Sequence, residues 1–169
     1  MPTIAELLLP EFDQEMTIMR HVIARTPDED GEWRPHPKSF PIKHLAQLCA
    51  MMPSWVAMMA HGAEVDIAPT SRTGPGYSIE STATLLAMFD KNVADARAVL
   101  AAITDAQFAE TWTMKARGQV VSVGTRYEQM RTGLFNHLVH HRAQLGVYLR
   151  LRDVSVPSMY GPTADEKIG

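Results

Sequence analysis

Apolar residues recur at steps of three and four along four long stretches of the chain, with polar, Pro-rich or Gly-rich segments between them. In the first stretch Ile4, Leu8, Phe12, Met16, Met19 and Ile23 share one helical stripe. Thr3 and Glu6 have the spacing of a capping box at its start, and "RTPDEDG" ends it. Pro10 lies inside this run and predicts a kink or a later start, because proline offers no N–H and crowds the preceding turn. The three prolines of "EWRPHPKSFP" predict an extended loop. A second helix is predicted from Pro41 or Ile42, with Ser39 as its cap and a bend at Pro53, burying Leu45, Leu48, Cys49, Met52, Val56 and Met59. "HGAEVDIAPTSRTGPGY" reads as a long turn-rich connection. The third helix runs from about Ser78, with Thr82, Leu86, Phe89, Val93, Ala96, Leu100 and Ile103 on its stripe. The pattern breaks over residues 104–124, where Val120, Val121 and Val123 beside Gly118 and Gly124 suggest an extended loop or a short strand. The fourth helix, Arg126 to Arg152, aligns Met130, Leu134, Leu138, His141, Leu145 and Tyr148, and the tail "VSVPSMYGPTADEKIG" reads as turn and coil. This order predicts an all-α fold, an antiparallel four-helix bundle with long loops, over a single domain 1–169.

Composition narrows the picture without changing it. With 46% hydrophobic residues, 169 residues suffice for one well-packed core, and eleven Met against five Phe and four Tyr suit irregular helical packing. The 16 basic and 19 acidic residues form no block of like charge, which argues against a nucleic-acid partner. A single cysteine, Cys49, forbids an intrachain disulfide and fits a reducing compartment, hence the cytoplasm. The N-terminus "MPTIAELLLPEF" carries Glu6 and Glu11 where a secretory signal needs a basic start. The longest uncharged run, Leu45 to Ala60, is interrupted by Gln47, Pro53 and Ser54 and falls short of the roughly 20 apolar residues of a membrane span. A soluble protein with no membrane partner is expected.

The chemistry concentrates in "LFNHLVHHRAQLGVYLR". His137 and His141 are four residues apart, so on a helix both imidazoles project the same way and can reach one ion. His140 is about 100° further round and is left out of the ligand set. His-x-x-x-His alone is a weak motif, because a packed histidine is as readily satisfied by a carbonyl, a carboxylate or water. A zinc-protease reading fails, since Leu138 stands where the general-base Glu belongs, and no cysteine pair offers a structural zinc site. A third ligand must come from another helix, and His44 is the candidate. Three neutral imidazoles would leave a divalent ion an open position for water or substrate. His21, His36 and His61 read as exposed or loop residues, and Gln14, Arg20, Trp33 and Trp112 as candidates for a pocket mouth. Trp55 reads as a packing residue near the His44 face.

Taken together, "LLLPEFDQEM", "WRPHPKSFPIKHLAQLCAMMPSW", "NHLVHHRAQLGVYLR" and "VPSMYGPTADE" resemble the DinB-like (YfiT-like) superfamily, the last two stretches most specifically. The resemblance implies a helical bundle, a homodimer, and a three-histidine site for nickel, zinc or a similar divalent ion, with His137 and His141 matching the two last-helix ligands. It departs on the second helix, where the superfamily's ligand position falls on Leu48, one turn from His44. The activity implied is a metal-dependent S-transferase or isomerase that uses a low-molecular-weight thiol and a small-molecule substrate. Tyr127, Glu128 and Arg142 are then candidate substrate contacts. The alternative implied by Leu48 is a non-catalytic dimeric bundle with a degenerate metal site, acting in ligand binding or assembly.

Overall fold

The computed structural model describes residues 1–68, 78 and 80–167. The first helix, α1, spans Ile4–Ala24, and its capping box forms as expected: Thr3 Oγ1 accepts the Glu6 N–H at 3.2 Å and Glu6 Oε2 accepts the Thr3 N–H at 2.8 Å. Pro10 neither interrupts nor delays it. Pro10 and Glu6, whose carbonyl it cannot serve, are both exposed, so that carbonyl is open to solvent.

The second helical stretch begins at Ile42 but is not capped by Ser39. Pro41 occupies the N-cap of α2 (Ile42–Met51) without a side-chain bond. The loop caps it instead: the Ile42 and Lys43 N–H groups donate to the Trp33 and Gly31 carbonyls at 2.9 and 3.2 Å. Pro53 converts the expected bend into a 3₁₀ turn, Met52–Ser54, before α3 (Trp55–His61). Residues 69–77 of the turn-rich connection lie outside the described residues. Ser81 then caps α4 (Thr82–Ala102), whose buried residues are Leu85, Phe89, Ala96 and Leu100, while Thr82, Leu86 and Val93 of the expected stripe are only half-buried.

The expected all-α class is corrected at residues 104–125. Thr104 and Gln107 box the start of α5 (Asp105–Ala109), followed by two strands, β2 (Thr111–Ala116) and β3 (Gln119–Thr125), when the strands are numbered after β1 (Glu64–Asp66). β1 pairs parallel with β2 and β3 pairs antiparallel with β2, giving the order β1-β2-β3. Arg117 and Gly118 both take positive φ, 53° and 75°, the backbone that a two-residue hairpin turn requires. The register steps from Ser122 opposite Met114 to Val120 opposite Lys115, so Val121 is a bulge. The fold is mostly helical with a small mixed sheet. Its last rod consists of α6 (Arg126–Met130), a π-helical turn (Arg131–Asn136) and α7 (His137–Leu151).

In the interior α1 packs on α4 and α7, α2 on α4 and α7, and α3 on α4 and α6. Phe12 of α1 meets Phe135 of the π turn edge to face, ring centres 6.3 Å apart, and Met19, Cys49, Phe89, Phe108, Trp112, Leu134 and Leu145 belong to the same core. All the apolar members of the stripe expected on the last helix are buried. Among the described residues no helix is long and apolar enough to cross a membrane.

One buried cation joins the loop to two helices. Lys43 Nζ, 1% exposed, donates to Asp28 Oδ1 at 2.6 Å and to Thr82 Oγ1 at 2.5 Å, and Asp28 Oδ1 accepts the Thr82 N–H at 2.7 Å. The Lys43 hydrogen bond, followed by those of Thr82, holds the Asp28 carboxyl at about 2. Its folded value lies below the ordinary value near 4, so its contribution is present above about pH 4 and is lost as the pH falls towards 2. Urea midpoints measured from pH 5 to pH 2 are expected to fall less steeply for Asp28→Asn than for the wild-type chain. Equal slopes would show that this carboxylate does not couple to folding.

Candidate metal centre

The π turn adds a residue to one helical turn just before His137, and such bulges re-aim the side chains that follow. His137 and His141 then stand on one face of α7 with ring centres 4.5 Å apart and their Nε2 atoms 2.8 Å apart. On the far side of the buried His141 ring, Nδ1 lies 2.8 Å from Gln144 Oε1, and the Gly133 backbone accepts a hydrogen bond from the His137 imidazole. The Trp55 indole sits 5.6 Å from the His137 ring. His140 is exposed, with its ring centre 4.9 Å from that of His141 and 6.4 Å from that of His137.

Burial pushes both imidazoles below the ordinary histidine range. In His137 desolvation is opposed by the Gly133 hydrogen bond, and in His141 by the bond to Gln144, with His140 and His137 adding repulsion. Two such rings are neutral at pH 7, and each then has one N–H and one lone pair. Two nitrogens of this kind 2.8 Å apart either share a proton or hold a cation between them. The donor chemistry of the pair suits a divalent ion, and the outer nitrogen of His141 is already engaged, as a ligand imidazole requires.

The structure brings His137 and His141 together but does not add His44 to them. His44, on the first turn of α2, stacks on Phe40 with ring centres 4.6 Å apart, and its charged neighbours are Arg34 and Glu32. The backbone bonds from Ile42 and Lys43 to the 31–33 loop hold that end of α2 against the loop. Among the described residues no three His, Cys, Asp or Glu side chains form a group able to hold a metal. Leu48, the position expected from the resemblance, is a core residue at 7% exposure.

The candidate substrate contacts also have partners within the fold. Tyr127 packs edge to face on Phe108, Glu128 closes a capping box with Thr125, and Arg142 is buried against Glu15. Trp112 is fully buried in the core and lines no mouth, and Trp33 packs edge to face on Tyr148 at 5.7 Å. Arg20 pairs with Asp90, and Gln14, His21, His36 and His61 are exposed. Burial pushes the Cys49 thiol up to about 12, so it is neither a thiolate nucleophile nor a ligand at neutral pH. Gly133 and Gln144 escaped the sequence reading. The three-residue spacing from His141 to Gln144 is the signal that could have found the second.

A mostly helical fold whose last rod carries paired imidazoles defines the class of protein, and among the described residues that pair is the candidate cation seat. The family model of the DinB superfamily matches residues 11–145, and the chain belongs to that superfamily. A crystal structure of a DinB-like protein from Bacillus cereus shares the fold, with a TM-score of 0.67 and 19% identity over 94% of this chain and 98% of the other. No curated protein matches the chain.

Proposed function

We propose that the chain is a divalent-metal-dependent enzyme of the DinB superfamily, an S-transferase or isomerase acting on a small molecule with the help of a low-molecular-weight thiol. The observation that supports it is the 2.8 Å approach of the His137 and His141 Nε2 atoms, each on a neutral, partly buried ring. Imidazole nitrogen suits nickel or zinc, and such an ion supplies the Lewis acidity that favours a thiol's deprotonated form. The chain's own residues hold and orient it: His137 and His141 as ligands, with Trp55 beside the His137 ring. His44, one turn of α2 before Leu48, is the third histidine proposed for the cation. Because the Cys49 thiol is held protonated in the core, the reacting sulfur comes from a small molecule. A homodimer is proposed with it.

A second reading is favoured by Leu48 in the core and by the missing third ligand among the described residues: a non-catalytic helical protein acting in ligand binding or assembly. Elemental analysis and calorimetric titration with nickel and zinc on tag-free protein separate the two. The enzyme reading expects one ion per chain, lost in His137→Ala, with His44→Ala reporting whether the α2 histidine takes part. Sub-stoichiometric metal unchanged by His137→Ala would leave only the second reading.

A further inference from the structure

A clamp of two histidines works only if each presents the nitrogen that faces the ion as a lone pair. A neutral imidazole has two tautomers, and the partner at the outer nitrogen chooses between them. His141 Nδ1 faces Gln144 Oε1 at 2.8 Å, and an amide oxygen can only accept, so the proton belongs on Nδ1 and the lone pair on Nε2. His137 Nε2, 2.8 Å from that lone pair, then carries the proton between the two rings when no cation is present. A cation seated between the rings would displace that proton and take both lone pairs.

We propose that Gln144 is a positioning residue for the cation seat: its amide oxygen locks His141 in the Nδ1–H tautomer and so aims the Nε2 lone pair at the ion. This rests on the reading of His137 and His141 as cation ligands. Gln144 touches neither ion nor substrate and acts through His141 alone. Its side chain is exposed, so its replacement removes the lock without opening a cavity.

Imidazole nitrogen NMR on the metal-free chain reads the tautomer directly, and titration with zinc reads the affinity. His141 is expected as the Nδ1–H tautomer in the wild-type chain and as a mixture in Gln144→Leu. Zinc affinity is expected to fall about 10–100-fold in Gln144→Leu, the usual effect of losing a partner to a ligating histidine. Gln144→Glu, which keeps an acceptor at the same reach, is expected to restore both the tautomer and the affinity. Unchanged circular dichroism and melting in both variants separate this from a folding defect. A His141 tautomer indifferent to Gln144→Leu, or found as Nε2–H in the wild type, overturns the proposal. A tautomer that shifts in a chain that binds no zinc upholds the positioning and instead defeats the metal reading.

Discussion

Replacing Glu15 by Leu is expected to destabilise the chain by about 3–5 kcal/mol, the cost of leaving a buried cation without its counter-ion. Glu15 on α1 is buried and faces Arg142 of α7, 1% exposed, with Arg142 Nη2 at 2.6 Å from Glu15 Oε2. Arg142 Nη1 also donates to the Glu15 backbone carbonyl at 3.2 Å. From the tail, the Tyr160 hydroxyl donates to the Glu15 carboxylate at 2.8 Å and accepts from Arg142, whose guanidinium lies 5.0 Å from the Tyr160 ring centre. Burial and the Glu15 bond both raise the Tyr160 phenol, so it stays protonated as the donor. For a chain of this length the melting point is expected to drop by roughly 10 °C. The double variant Glu15→Leu with Arg142→Met is expected to recover most of the loss, because apolar replacement of both partners removes the desolvation penalty with the attraction. Tyr160→Phe, which deletes only the hydroxyl, is expected to cost about 1–2 kcal/mol. Urea denaturation measures all three. A Glu15→Leu midpoint unchanged from wild type would show that water reaches the Arg142 head in solution.

Arg126→Met carries the second large effect, also about 3–5 kcal/mol, by stripping the hydrogen bonds from several carbonyls at once. Arg126, 4% exposed, opens α6 immediately after β3. Its Nε donates to the Met59 carbonyl at 2.8 Å and its Nη2 to the Gly62 carbonyl at 3.3 Å, both at the C-terminal end of α3. Its Nη1 donates to the Gln107 carbonyl of α5 at 2.8 Å and pairs with Glu110 at 3.0 Å. One guanidinium therefore caps the ends of two helices, where carbonyls lack partners and the helix dipole favours a cation. Met keeps the apolar stem and removes the donors. Beyond the lowered urea midpoint, amide exchange is expected to rise in α3 and α5 ahead of α1. Exchange that rises evenly across the chain would mean that Arg126 contributes to global stability without tying these helix ends together.

The helices were legible in the sequence because their causes are local. The Thr3–Glu6 box, the stops at "RTPDEDG" and the interruption at Pro53 all appear where the pattern put them. The strands were not. β2 buries only Trp112 fully, β3 alternates weakly and carries a bulge, and β1 has three residues, so none shows a strong two-residue period. The parallel pairing of Glu64 with Thr113 has no trace in either segment read alone.

The site divides in the same way. That His137 and His141 share a face follows from four-residue spacing on any helix, and the sequence by itself determined it, together with the mostly helical content, the charge balance and the burial of the last-helix stripe. Only the tertiary structure decided that His44 stacks on Phe40, that the buried Glu15 and Arg142 pair with the Tyr160 hydroxyl on both, and that a small sheet interrupts the helices. The physical reason is range. Periodicity and capping are set by residues within a turn of one another, whereas Arg142 and Glu15 are 127 positions apart, and their attraction leaves no pattern until the chain has closed around it.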